Sequence, residues 1–282
     1  MKRLILFFLG AGLVAGIAAA AEVRVVSQTV GTDELLLALA EPSQVAALSH
    51  IAGAREYSAV AEEAERYPHI SAGDSEAILK YRPTLVLFAD YSRAELVAQV
   101  RALGVPVIVF DRYATLDDVY ANLRLLGREL GAAAETRAEA LIASCKARMA
   151  VLDQRLQGIK PVRVINASTY GLLSGAGSTF QNLCDHAGAE NLATTLGGIK
   201  GMGPEPSEKM LRWPIDMVVL GGEESVETAL APLRDVLPYR YIEAVQEGRA
   251  VVLPSALLAS VTHHRIEAYE LLARGLHPEV AW

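Results

Sequence analysis

Thr84-Leu85-Val86-Leu87-Phe88 is a continuous apolar run without alternation. A strand of that kind is covered on both faces, which places it in a parallel sheet flanked by helices. The sequence around it agrees. Val23-Arg24-Val25-Val26-Ser27 reads as a β-branched strand. Gly31-Thr32-Asp33-Glu34 then opens a helix that continues through the apolar residues 35–40. A short strand is expected at 45–49. Asp74-Ser75-Glu76 starts a short helix that Pro83 ends. A helix at 92–103 and a strand at 105–110 complete a β-α-β-α-β series, the signature of a layered α/β lobe.

The character changes at residue 116. From 116 to 157 the pattern is helical and contains no proline, and Gly127 and Gly131 are its weak points. This stretch is too long for a crossover helix. It is either a helical hairpin or one long helix linking two lobes, and Gly158 and Pro161 end it. A second α/β series follows. Strands are expected at 162–166, 216–220 and 250–253, and helices at 178–187, 207–213 and 260–276.

The first residues stand apart. Lys2 and Arg3 precede an uncharged apolar run over 4–18, and Ala19-Ala20-Ala21 follows. That is the pattern of a secretory signal peptide, cleaved after Ala21. No cysteine lies near the cleavage point to take a lipid anchor. Composition limits the partners: 26 Lys+Arg against 33 Asp+Glu give a net charge of −7. A nucleic-acid partner is therefore excluded, because such binding relies on a cationic surface. Cys145 and Cys184 form no zinc motif, and two buried free thiols are expected.

The two halves share a pattern. In the first, Ser75-Glu76-Ala77-Ile78-Leu79 leads through Pro83 into the apolar strand. In the second, Ser207-Glu208-Lys209-Met210-Leu211 leads through Pro214 into Met217-Val218-Val219-Leu220. Together with the Ser174-Gly175-Ala176-Gly177-Ser178 loop, the run 244–251 and Leu276-His277-Pro278-Glu279, this resembles the substrate-binding proteins of iron-siderophore, haem and cobalamin ABC importers. The resemblance implies an α/β fold of two Rossmann-like lobes with parallel sheets joined by a long linking helix, the class III periplasmic binding protein fold. It divides the chain into a signal peptide (1–21), an N-terminal lobe (22–113), a linking helix (114–158) and a C-terminal lobe (159–282). It implies a monomer in the periplasm that captures a small-molecule metal chelate between the lobes and delivers it to a permease dimer in the inner membrane. Glu76 and Glu208 match the glutamates that dock into the permease in this family. No catalysis, intrinsic cofactor or resident metal is implied.

Metal chelates are large and often anionic, so their site calls for aromatic faces, hydroxyls and one or two cations on strand-end loops. The candidates are Thr29, Arg55, Tyr57, Tyr91, Arg93, Tyr170, Met202 and His263. The three tyrosines rank first, as residues recurring at equivalent strand ends. Met202 stands where cobalamin binders carry a tryptophan. The Ser174–Thr179 loop reads as a turn with a helix cap rather than a phosphate cradle. His263 and His264, if helical, point about 100° apart and do not share one ion. The expected cargo is a ferric siderophore or related iron complex. Alternatives are haem or cobalamin on the same scaffold, free zinc or manganese, and a ligand sensor serving a signalling partner.

Overall fold

A computed structural model describes residues 23–71 and 74–282. The expected signal peptide and its cleavage point lie outside these residues. The chain forms two lobes. In the first, β1 (Val25–Ser27), β2 (Val45–Ala47), β3 (Leu85–Ala89) and β4 (Val107–Phe110) make a parallel sheet of order β2-β1-β3-β4. In the second, β5 (Val162–Asn166), β7 (Ala189–Asn191), β9 (Met217–Gly221) and β10 (Ala250–Leu253) make a parallel sheet of order β10-β9-β5-β7. A small antiparallel ribbon of β6 (Leu172–Ser174) and β8 (Met202–Pro204) rides on the second lobe.

Strand geometry explains the unbroken apolar runs. Successive side chains leave a strand on opposite faces. Leu85 and Leu87 point into one apolar cluster, while Val86 and Phe88 point into another. In the second lobe Val219 joins the first of these clusters, and Val218 and Leu220 belong to a third. Each sheet therefore has an outer core of its own and an inner face on a core common to both lobes. That common core runs along Ile142, Cys145, Met149 and Leu152 of the helix Ala132–Leu156 and reaches Tyr269 of the last helix, Arg265–Leu276.

The single linking helix expected over 114–158 is two helices, Leu116–Leu130 and Ala132–Leu156, packed as a hairpin. Gly131 breaks them. Its φ of 105° lies where a side chain is strained, so glycine makes the turn. Gly127 acts differently. A Cβ there would stand 3.2 Å from the Glu135 backbone, so its absence lets the helices approach closely. Arg124 fastens the pair with a two-pronged hydrogen bond to Glu139, at 2.6 and 3.0 Å. The second, 25 residues long, packs on both the helix Val30–Leu39 of the first lobe and the last helix, Arg265–Leu276.

Two further helix expectations change. The helix at 207–213 is shorter, Ser207–Met210. The last helix begins at Arg265 rather than at 260, so His263 and His264 lie in the turn before it. Among the described residues no helix is long and apolar enough to cross a membrane.

Candidate ligand-binding cleft

The carboxyl ends of β9 and β10 and the segment that follows β2 enclose one cavity of about 860 Å³ between the lobes. The first lobe lines it with the segment after β2, including Arg55, Ser58, Glu62, Glu63 and Arg66. The second contributes Glu223 after β9, and Pro254, Ala256 and Leu257 after β10. His264 and Glu267, at the start of the last helix, complete it. A cavity at the strand ends of two α/β lobes is where this architecture holds ligands. The volume suits a ligand of drug-like or chelate size.

Buried polar groups fix the geometry behind the cavity. Thr29 caps the helix Val30–Leu39, where its hydroxyl accepts from the Thr32 amide. Asp33 in the first turn of that helix accepts from the Ser49 amide at 3.0 Å and from the Ser49 hydroxyl at 2.5 Å. Glu34 accepts from the Ala59 amide at 3.2 Å, and its other oxygen accepts from the Thr262 hydroxyl. Burial pushes the Asp33 carboxyl up to about 6 and the Glu34 carboxyl up to about 7, with these hydrogen bonds pulling the other way.

Arg265, only 1% exposed, is the other anchor. Its guanidinium donates to the carbonyls of Tyr113 (2.8 Å), Ala114 (3.2 Å) and Ser260 (3.2 Å), and to Asn182 Oδ1 (3.2 Å). The turn 260–265 is thus tied to the end of the first lobe and to a helix of the second. Beside it, the rings of His263 and His264 lie 4.2 Å apart at 36°. Burial pulls His263 down to about 3 and His264 down to about 4, so both imidazoles are neutral at pH 7.

The sequence-derived candidates divide into several places. Arg55 lines the cavity but is already paired with Glu62 at 2.6 Å. His263 does not line it, and His264 does. This corrects the choice between the two: with no helix at 260–264, their directions follow the turn. Thr29 and Tyr91 line a separate narrow crevice with Gly31, Tyr113 and Val261. There Tyr91 and Tyr113 meet edge to face at 6.3 Å, and the Tyr113 hydroxyl donates to Asp90 at 2.8 Å. Tyr170 and Met202 are 86% and 69% exposed on the second-lobe ribbon and the loop entering it. Tyr57 is exposed in the segment after β2, and Arg93 directly precedes the helix Ala94–Ala102. The strand-end equivalence of the tyrosines does not hold for Tyr57, which lies far beyond the end of β2 while Tyr91 follows β3 closely.

Glu76 and Glu208 are exposed, each the second residue of a short helix, Ser75–Leu79 and Ser207–Met210. The Ser174–Thr179 loop is a turn and cap. Ser178 donates to the Gly175 carbonyl at 2.7 Å and accepts from the Gln181 amide at 3.1 Å. Gly175 packs backbone to backbone on Ile199, where a Cβ has no room. Cys145 and Cys184 are buried free thiols, and burial pushes both up. Among the described residues no three His, Cys, Asp or Glu side chains converge to hold a metal ion. Sequence reading missed Arg66, Glu223 and Glu267 on the cavity wall and Glu34 and Arg265 behind it, and of the adjacent histidines it favoured His263 over His264. A glutamate near the start of a helix, such as Glu34, looks like a dipole partner, and nothing in the neighbours of Glu34 or Arg265 reveals burial.

A family model described as periplasmic binding protein matches residues 25–257. No curated protein sequence matches the chain. Among solved structures, the periplasmic heme-binding protein RhuT from Roseiflexus sp. RS-1 superposes with a TM-score of 0.76 at 22% identity, over 91% of this chain and 98% of that one. A periplasmic heme-binding protein from Pseudomonas aeruginosa gives 0.75 at 21%, over 92% and 94%. The molybdate periplasmic binding protein MolA, cognate to an ABC transporter of Haemophilus influenzae, gives 0.74 at 18%, over 91% and 86%. At such identities the likeness is one of fold.

Proposed function

The chain belongs to the periplasmic binding protein family, and from that premise we propose that it captures a metal complex between its lobes and hands it to the permease of an ABC importer. The observation that carries this is the interlobe cavity of about 860 Å³ at the strand ends. Its size fits an organic chelate far better than a bare ion. A ferric siderophore or related iron complex is the proposed cargo. The segment after β2 would supply one wall and the turns after β9 and β10 the other.

The common core along the helix Ala132–Leu156 favours a small hinge motion over wide opening, because a packed helix resists bending. Exposed Glu76 and Glu208, one on each lobe, would orient the loaded protein on the permease. Exposed ion pairs contribute only about 0.2–1 kcal/mol each, so their role is registration more than affinity.

Haem is the second reading, favoured because two of the superposed proteins are heme-binding proteins. The test is a spectroscopic and thermal-shift titration of the purified protein with ferric siderophores, haemin, cobalamin, zinc and manganese. Ligand at about 100 times its Kd should stabilise the fold by about 2.7 kcal/mol. Stabilisation by bare zinc or manganese alone would overturn the chelate reading.

A further inference from the structure

We infer that the interlobe cavity is built for a neutral or cationic metal complex and excludes polyanionic ones. This rests on the proposal that the cargo is a metal complex held there. Six charged side chains line the cavity: Arg55, Glu62, Glu63, Arg66, Glu223 and Glu267. Arg55 and Glu62 cancel through their 2.6 Å ion pair. Glu63, Glu223 and Glu267 remain against one guanidinium of the lining, Arg66, while Arg148, which also acts on Glu267, is paired with Glu270 at 2.8 Å. Glu63 and Glu223 make no side-chain hydrogen bond or ion pair among the described residues, so neither is neutralised locally. All three glutamates are exposed and bear a formal negative charge.

Of the other polar lining residues, Ser58 is uncharged and His264 is a desolvated neutral imidazole, so neither adds positive charge. Behind the wall lie two more carboxyls, Asp33 and Glu34, both turned to Ser49, Ala59 and Thr262 rather than to a cation. The cleft between two low-dielectric lobes concentrates the field of these groups. A polyanionic complex entering it would give up its hydration and find one free guanidinium against three carboxylates. A cationic or neutral complex meets no such barrier. Haem, with two propionates, falls on the disfavoured side.

The test is a fluorescence-quenching titration of the purified protein with three ferric complexes. They are ferrioxamine B (cationic trihydroxamate), ferrichrome (neutral trihydroxamate) and ferric enterobactin (anionic tris-catecholate). At low ionic strength the cationic or neutral complex should bind at least about 30-fold more tightly than the anionic one, and the ratio should shrink with added salt. In the Glu223→Gln, Glu267→Gln double variant the cationic complex should weaken about 3–10-fold while the neutral one is unchanged. Tightest binding of the anionic complex, or a double variant with an unaltered ratio, would overturn the charge assignment and leave the metal-complex reading standing. Failure of all three to bind would overturn that reading, and the inference with it.

Discussion

The Thr262 hydroxyl donates to Glu34 Oε2 at 2.5 Å, across 228 residues of sequence. The bond joins the first turn of the first helix to the turn that precedes the last one. The other oxygen of Glu34 holds the Ala59 amide, in the segment that lines the cavity. One buried carboxylate therefore fixes both a wall of the cleft and the second-lobe turn that crosses back to the first lobe.

Replacing Thr262 by Val keeps the shape and removes the donor. Glu34 is then left buried with one partner fewer, which should cost about 1–3 kcal/mol and raise its pKa further. Urea unfolding reads the loss. Unchanged stability would mean that the bond is not formed in solution.

Two sets of groups titrate in opposite directions. Glu34 and Asp33 are raised by burial, so their contribution is full at low pH and is lost as pH rises toward about 7 and about 6. His263 and His264 are lowered, so their contribution is present above their unfolded pKa near 6.5 and lost as pH falls toward about 3 and about 4. Between pH 5 and 7 the two largely offset each other. Glu34→Gln removes part of the carboxyl contribution. Its unfolding free energy should fall more steeply on acidification than the parent's, by up to about 1.4 kcal/mol per pH unit. Parallel pH profiles for the two proteins would contradict this assignment.

Arg265 offers four donations to acceptors in three segments, and a lysine cannot reproduce that fork. Arg265→Lys should lose about 2–4 kcal/mol, measured by denaturant unfolding. A loss below about 0.5 kcal/mol would show that the carbonyls at 113 and 114 find other partners.

Glu76 and Glu208 line no part of the cavity. Substituting both by Ala should leave cargo affinity and stability unchanged and abolish uptake in a reconstituted transport assay. A fall in affinity would reject the docking role.

The sheets were readable from sequence because strands covered on both faces need unbroken apolar runs, as 85–88 and 217–220 show. Glu76 and Glu208 stood out through the duplicated Ser-Glu helix start. The ribbon of β6 and β8 did not, since three-residue strands carry no period to detect. Gly131 was visible as a weak point, but whether it bends or reverses the chain depends on a backbone angle that the residue name leaves open. The cavity wall was least legible. Arg66, Glu223 and Glu267 are ordinary surface charges in sequence, and only the opposition of the two lobes brings them together. His264 replaced His263 because the helix starts one turn later than its pattern indicates.

The most direct test of binding between the lobes is hydrogen exchange of the purified protein with and without a ferric complex that it binds. Protection should rise together at 55–66 and at 254–267, the segments that line the cavity from the two sides. Protection confined to one lobe, or located away from both segments, would contradict it.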